Sequence, residues 1–370
     1  MSKQKNNNKS QSQKSLLEAE NGVVKDKLLK KIPNWADLLG LHLPSKISVE
    51  QASSQATAQI KSSLIKFSTV VDLTGGFGVD SFYLAMQADS LTYIEKVKDL
   101  HDKVKMNFSQ MGVKNIYFIN DFAENYLQQL DNNIDLIYCD PARRLNSKKI
   151  HNLEDSEPNI IDLFELIKRK CKYFMLKSSP FLDIQSVISS LDSVSKVILI
   201  SVDNELKEVL YLFDFKHTFP IEYKVFIVNK KFCSFYLFSN TKYTMSYSYP
   251  LSYLYEPNSA IFKLGNYSEI ASIFSLHKLE QNSHLFTSEQ VEQNFPGNIY
   301  KIINILKVNY KELHNYSLTT HYNLKVRNFP MSVDELKKKL KIIDGGDKYI
   351  FATKLIDQSY KLIVCEKINI

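Results

Sequence analysis

The sequence predicts an α/β fold, a parallel sheet with helices on both faces, preceded by a helical segment and followed by a small α+β region. Three observations carry this. Short apolar runs at 69–73, 91–95, 115–119, 134–139, 172–177 and 196–202 alternate with helix-like stretches. A glycine-rich loop, "LTGGFG", follows the first run and leads into a helical pattern. A carboxylate stands at the carboxyl end of each of the first four runs, as Asp72, Glu95, Asp121 and Asp140. Repeated strand and helix units bury their apolar faces by winding into a parallel sheet, so these features point to one architecture.

The elements follow in order. Residues 1–14, "MSKQKNNNKSQSQK", hold four lysines and no acid and read as a disordered tail. Residues 15–66 read as helical, with "SVEQ" (Ser48, Gln51) as a capping box opening a helix through "ASSQATAQIKSSLI". Residues 67–240 form the sheet domain: Val79, Phe82, Tyr83 and Met86 share one helix face, Leu100, Val104 and Met111 another, and Gly112 stops the second helix. "EYKVFIVNKKFCSFYLFSN" reads as two strands joined by a tight turn. Residues 241–320 hold a tyrosine-rich connector and a small further domain. Residues 321–370 read strand (322–328), helix from Ser332 with the capping box "SVDE", a Gly345-Gly346 turn and two strands (349–353, 361–366).

Composition excludes several classes. The 370 residues are 44% hydrophobic, enough for a substantial core in two or three domains. No stretch reaches the ~18 continuous apolar residues of a membrane span, and the N-terminus lacks a signal-peptide core. The four cysteines, Cys139, Cys171, Cys233 and Cys365, match neither a zinc spacing nor a disulfide framework and suit reduced thiols in the cytoplasm. His277 and His284 are seven apart, which is no metal-ligand spacing, so no metal is expected. The excess of 47 Lys and Arg over 40 Asp and Glu, +7, favours polyanions without requiring them.

The loop Gly75, Gly76 and Gly78 sits where a nucleotide-binding element belongs, because missing Cβ atoms let a ligand approach the backbone. A dinucleotide fingerprint fits weakly, with Ser81 in the place of the third glycine. A pyrophosphate at the helix start would also meet Asp80 in the first turn, whereas a cation would be welcome there. S-adenosylmethionine suits such a rim: its sulfonium and amino groups are positive, and its ribose and adenine need acceptors. Glu95 is placed on the ribose hydroxyls and Asp121 on the adenine edge. The plainer reading is that strand-end acids cap the helices after them. The second motif, "LIYCDPARR", sets Asp140 at the mouth of the crevice, where a carboxylate beside the rigid Pro141 can orient the amine of a planar base. Asp-Pro alone is commonly a turn starter.

On "DLTGGFGVDS" and "DPARR", with "LEDSEPNI", "LKSSPFLDI", "SVDNELKE", "YLYEPNSAIFKLG", "NSHLFTS", "FPG", "VRNFPMSVDELKKKL" and "DGGDKYIFAT", the sequence resembles class I S-adenosylmethionine-dependent methyltransferases. More closely, it resembles a bacterial group of them carrying a THUMP-like C-terminal domain. The resemblance implies a Rossmann-like methyltransferase domain over 67–240, a connector with a small ferredoxin-like domain over 241–320, and a THUMP-like, RNA-binding domain over 321–370. It implies cofactor contacts at Asp72, Gly76, Gly78 and Glu95, joined in our reading by Thr74, Gly75, Asp80 and Asp121, with Asp140 and Pro141 beside the transferred methyl. Thr74 departs from the usual first glycine of the loop, a variant familiar among RNA-modifying members.

The expected activity is S-adenosylmethionine-dependent methylation of a nucleobase nitrogen in tRNA or rRNA. A related C5-methylation of uracil needs a cysteine nucleophile after the fifth strand, where this chain reads "LKSSP". The alternatives are a non-catalytic RNA-binding protein that keeps the fold and a dinucleotide-dependent oxidoreductase. Arg143 and Arg144 either clamp a substrate phosphate or pair with Glu154, Asp155 or Glu157. Seven basic residues against four acids over 323–348, with Lys337, Lys338, Lys339 and Lys341 on one helix, are either a solvated face or an RNA contact. The tyrosines of 243–255 either stack on bases or fill a seam.

Overall fold

The apolar runs become strands because their side chains are buried on both faces of one sheet. β1 (Thr69–Asp72), β2 (Ser90–Ile94), β3 (Ile116–Ile119), β4 (Ile134–Cys139) and β5 (Cys171–Ser178) pair in parallel. β6 (Val194–Val202) turns at Asp203 and Asn204, both with positive φ as a tight two-residue hairpin requires, into β7 (Glu205–Asp214). β7 runs antiparallel to β5, and the order across the sheet is β6-β7-β5-β4-β1-β2-β3. Leu136, Ile137, Phe174 and Met175 on β4 and β5 are 0% exposed, as central strands covered on both sides must be. Strand order reverses between β1 and β4, and the carboxyl ends of strands at such a switch point line the ligand crevice of open α/β sheets. This is the Rossmann-like methyltransferase sheet that the resemblance implies.

The computed structural model describes residues 22–36, 40–131, 133–143, 153–216, 220–229, 233–239, 241, 243–317 and 319–369. The chain forms two compact units, Met1–Ile198 with Glu208–Ile221, and Leu199–Lys207 with Glu222–Ile370. The tail expected at 1–14 lies outside the described residues, and among those described no helix is long and apolar enough to cross a membrane.

In the first unit the N-terminal segment is helical over 22–31, Pro33–Ala36, α1 (Lys46–Gln51) and α2 (Gln55–Ser63). The helix expected to open at Ser48 is in fact two. Ser45 caps α1 by accepting from the Ser48 N–H, and Ser54 caps α2 by accepting from the Thr57 N–H. Ser54, by satisfying an orphan amide of a new helix start, breaks the helix after Gln51, and Ser53 in that break is buried. The chain's one tryptophan, Trp35, lies edge-on to Phe77, Phe82 and Phe108 with centroids 5.4, 5.4 and 6.0 Å away, so the segment is built into the core beside the glycine loop. α3 (Val79–Ala85), α4 (Lys98–Gln110), α5 (Ala123–Gln129), α6 (Ile160–Lys170) and α7 (Ile184–Ser190) complete the unit.

In the second unit β8 (Glu222–Val228) and β9 (Cys233–Phe238) pair antiparallel, as read from the sequence. β10 (Tyr253–Pro257), β11 (His277–Lys278), β12 (Phe286–Ser288), β13 (Gly297–Lys307), β14 (Asn323–Arg327), β15 (Lys348–Lys354) and β16 (Tyr360–Lys367) form a seven-stranded sheet in the order β11-β12-β10-β13-β16-β15-β14. That sheet is continuous across residue 320. Helices α8 (Ser259–Leu264), α9 (Tyr267–Ile273), α10 (Tyr310–Tyr316) and α11 (Val333–Leu340) accompany it. The "SVDE" capping box is present in both directions, with Ser332 accepting from the Glu335 N–H and Glu335 accepting from the Ser332 N–H.

Two glycines of the loop answer to packing. A Cβ on Gly75 would lie 2.1 Å from the Tyr93 ring, and one on Gly78, where φ is +82°, would lie 2.8 Å from Val104 of α4. Gly75→Ala should therefore cost about 1–3 kcal/mol through overpacking against Tyr93. Urea unfolding measures this, and an unchanged midpoint would mean that Tyr93 yields freely.

Candidate active site

The glycine loop is held by its neighbours' acids. Asp72 ends β1 and is buried; its Oδ1 accepts from the Thr74 N–H at 3.0 Å and its Oδ2 from the Ser81 hydroxyl. Glu95 follows β2, half-buried; its Oε2 accepts from the Gly76 N–H at 3.1 Å and its Oε1 from the Val97 N–H at 2.7 Å. The Tyr93 hydroxyl donates to the Gly76 carbonyl at 2.6 Å. The loop thus gives amides to the protein's own carboxylates, where a pyrophosphate site would aim them at a ligand. Burial, opposed by the Ser81 and Thr74 hydrogen bonds and reinforced by Asp80 and Asp140, pushes Asp72 up to about 7.

Thr74 has a structural task that explains its departure from glycine. Its Oγ1 accepts from the Asp140 N–H at 2.6 Å, tying the "DLTGGFG" loop to the "DPARR" turn. Asp140 follows β4, and its carboxylate meets the Lys177 ammonium near the end of β5 at 2.5 Å. Pro141 is half-buried beside it. Downstream, Ala142 and Arg143 pair antiparallel with Glu157 and Ser156. The Glu157 carboxylate is engaged by Lys96 at 2.5 Å. Arg144 and the Arg143 side chain lie outside the described residues.

Two of the predicted contacts differ in kind from their expectation. Asp80 is a buried ion-pair partner and does not offer a free charge to a ligand. Its Oδ1 lies 2.7 Å from the Lys61 ammonium, and its Oδ2 accepts from the hydroxyls of Ser53 and Tyr138, each at 2.7 Å. The sequence cannot reveal this because Lys61 comes from α2. Asp121, half-buried after β3, accepts on Oδ1 from the Phe122 N–H at 2.7 Å and the Asn125 side chain at 3.0 Å, so one oxygen serves the start of α5.

Sequence reasoning missed the network behind Asp140. Lys61 is 0% exposed and also meets Glu208 of β7 at 2.8 Å. Lys61 and Lys177 both donate to the Ser53 hydroxyl, at 2.6 and 3.2 Å, and Lys177 lies 3.9 Å from Glu208. Burial alone would depress Lys177, but Asp140, Glu208 and Asp80 outweigh it and keep the ammonium charged. Burial likewise opposes the ionised forms of Asp80 and Glu208, and the Lys61 and Lys177 charges hold both below the usual carboxylate range. One signal was available: Lys61 is the single charge in residues 51–65.

A crystal structure of a protein from Porphyromonas gingivalis W83, assigned as a methyltransferase, matches 95% of this chain and 90% of that one at 28% identity with a TM-score of 0.86. A THUMP domain-like family matches residues 297–367. The chain has a methyltransferase fold with a THUMP-like C-terminal domain. A ferredoxin-like domain family matches residues 253–296. An uncharacterized RNA methyltransferase of Mycoplasma mobile is 35% identical over 75 residues, 20% of this chain and 21% of that relative's length.

On the THUMP-like domain, Lys338, Lys339 and Lys341 are exposed, while Lys337 pairs with Asp344 at 2.6 Å. Tyr243, Tyr247 and Tyr249 of the connector are exposed as well. Among the described residues no group of three His, Cys, Asp or Glu side chains is arranged to hold a metal ion.

Lys61→Met should destabilise the protein by about 3–5 kcal/mol, since it strands Asp80 and Glu208 in the interior, and adding Glu208→Gln should recover part of that loss. Urea denaturation of both variants tests it. Asp72 carries a pH signature. Its folded pKa of about 7 lies above the ordinary 3.8, so the stability it contributes is complete below pH 4 and is lost as pH rises through 7. Relative to Asp72→Asn, the natural chain should lose stability between about pH 4 and 7, and a constant difference would contradict the raised pKa.

Proposed function

We propose that this protein is an S-adenosylmethionine-dependent methyltransferase of the cytoplasm that acts on a nucleobase nitrogen of tRNA or rRNA. One observation carries the cofactor: the Thr74 and Gly76 amides are given to Asp72 and Glu95, so carboxylates stand where a pyrophosphate would need donors. The donor set fits a cationic ligand. Asp72, neutral or charged near pH 7, is the acid for the amino group, and Glu95 the acceptor for the ribose hydroxyls. The oxygen of Asp121 not engaged with α5 is left for the adenine amine, and Gly75, Gly76 and Gly78 keep the loop close to its ligand. Bound there, the cofactor supplies an electrophilic methyl group on a sulfonium.

The chain's own residues have the task of holding an acceptor in line and excluding water. Asp140 accepts from the exocyclic or ring amine of the base, and the Pro141 carbonyl offers a second acceptor. Lys177 positions the Asp140 carboxylate and, being held protonated, takes no proton itself. A covalent route through Cys139 is disfavoured, because the thiol is buried and pushed well up by that burial. The RNA substrate is supported by the THUMP-like match, by the Mycoplasma mobile relative, and by the exposed lysines of α11 and tyrosines of the connector. Arg143 and Arg144 remain the proposed phosphate clamp, with Glu157 already engaged by Lys96.

Titration calorimetry with S-adenosylmethionine and with NADH should give binding of the first alone. With RNA from cells lacking the protein, nucleoside masses should then reveal one methylated base. Asp140→Ala should lower methyl transfer by on the order of a hundredfold with cofactor affinity nearly unchanged. Glu95→Ala should weaken cofactor binding roughly tenfold. Turnover retained by the first variant, or an unaltered dissociation constant for the second, rejects the corresponding role.

A further inference from the structure

The second unit contains a cavity of about 290 Å³. Asn204, Glu256, Ser259, Phe262, His284 and Arg327 line it. The strings "YLYEPNSAIFKLG", "NSHLFTS" and "VRNFPMS" are distant in sequence, yet each contributes a wall. The volume lies at the small end of ligand pockets, which run from ~300 Å³ upward, and suits one planar heterocycle with its sugar.

The lining has aromatic faces and unspent polar atoms. His284 stacks on Tyr267 with centroids 4.3 Å apart and meets Phe262 edge-on at 5.2 Å. It adopts a left-handed backbone conformation, φ +53°, which a non-glycine residue rarely takes. Its Nδ1 is buried with no hydrogen-bond partner in the protein, and so is the Ser259 hydroxyl. Burial and the Lys278 charge hold the imidazole near 4, so it is neutral at physiological pH, with one donor and one acceptor nitrogen. Arg327 gives one guanidinium nitrogen to Glu256 at 2.8 Å and another to the Val326 carbonyl at 3.0 Å; the side chain is 37% exposed.

Charge decides the ligand class. Glu256 is buried, and Arg327 at 2.8 Å together with Lys325 at 2.5 Å compensates its carboxylate. A free anion in the cavity would face that carboxylate, and a free cation would face Arg327. A neutral ring bearing donors and acceptors on its edge meets neither conflict. We propose that this cavity binds an unpaired nucleobase, stacked on Phe262 and read along its edge by Ser259, His284, Asn204 and Arg327. As a site for RNA it rests on the RNA substrate proposed above. It would then anchor a nucleotide other than the one methylated, because the methyl-transfer residues belong to the first unit.

The full chain is titrated with AMP, GMP, CMP and UMP, and separately with a single-stranded RNA of mixed sequence. At least one mononucleotide should bind in one-to-one ratio. Phe262→Ala and Ser259→Ala should weaken both mononucleotide and RNA binding, the first roughly tenfold, the loss expected for one base stack. Phe262 is 44% exposed and the Ser259 hydroxyl has no partner to lose, so both variants should melt with the natural chain. S-adenosylhomocysteine affinity serves as the control and should not move. Failure of all four mononucleotides to bind, with RNA affinity unchanged in both variants, overturns the proposal. Mononucleotide binding that the variants abolish while RNA affinity stays constant supports the pocket and names free nucleotide as its source. If S-adenosylhomocysteine fails to bind while nucleotides bind here, the methyltransferase reading falls and this one stands.

Discussion

The first unit turns on one buried ammonium. Lys61 is taken wholly out of water, which costs several kcal/mol unless its charge is answered at close range. Asp80 at the start of α3, Glu208 on β7 and the Ser53 hydroxyl between α1 and α2 supply that answer within 2.8 Å. Because Ser53 also accepts from Lys177, and Lys177 holds Asp140, the contacts run unbroken from the N-terminal helices to the turn that bears the candidate catalytic acid. Removing any member leaves a desolvated charge behind. The N-terminal segment is therefore part of the candidate site's construction.

That network changes the electrostatic argument for the ligand. Asp80 is neutralised by Lys61, so it cannot itself repel a pyrophosphate or attract a sulfonium. In the proposed cofactor site the discrimination belongs to Asp72 and Glu95, which occupy the amides of the glycine loop. Thr74 shows the same economy: a glycine there would free the backbone, but its hydroxyl is what couples the loop to the Asp140 amide. That bond ties the loop to the candidate catalytic turn, and an in-line displacement as proposed demands such a scaffold.

The second unit uses buried charge differently. Glu256 gathers Lys325, Arg327, Tyr300 and Asn298 at the edge of a cavity, and the groups around it leave polar atoms unsatisfied. In the first unit every member of the Lys61 and Lys177 network meets an opposite charge or a hydroxyl.

By itself the sequence determined the elements and the rim. Alternation of apolar runs placed the first strands to within a residue or two, since their burial on both faces leaves a continuous apolar signal, and "SVDE" marked the α11 cap because that interaction spans only three residues. It also put Asp72, Glu95 and Asp140 at strand ends, where chain direction alone sets their location. Only tertiary structure decided what those acids touch. Lys61 and Asp80 are 19 residues apart, and Lys61 and Glu208 far more, so no local pattern records their meeting. The break at Ser53 was hidden for a related reason: serine favours caps over helix interiors, but Ser45, Ser48, Ser53 and Ser54 all offer one, and the choice fell to a hydroxyl that completes a distant ion cluster. Spacing along a chain encodes periodic burial, whereas a desolvated charge finds its partner across space.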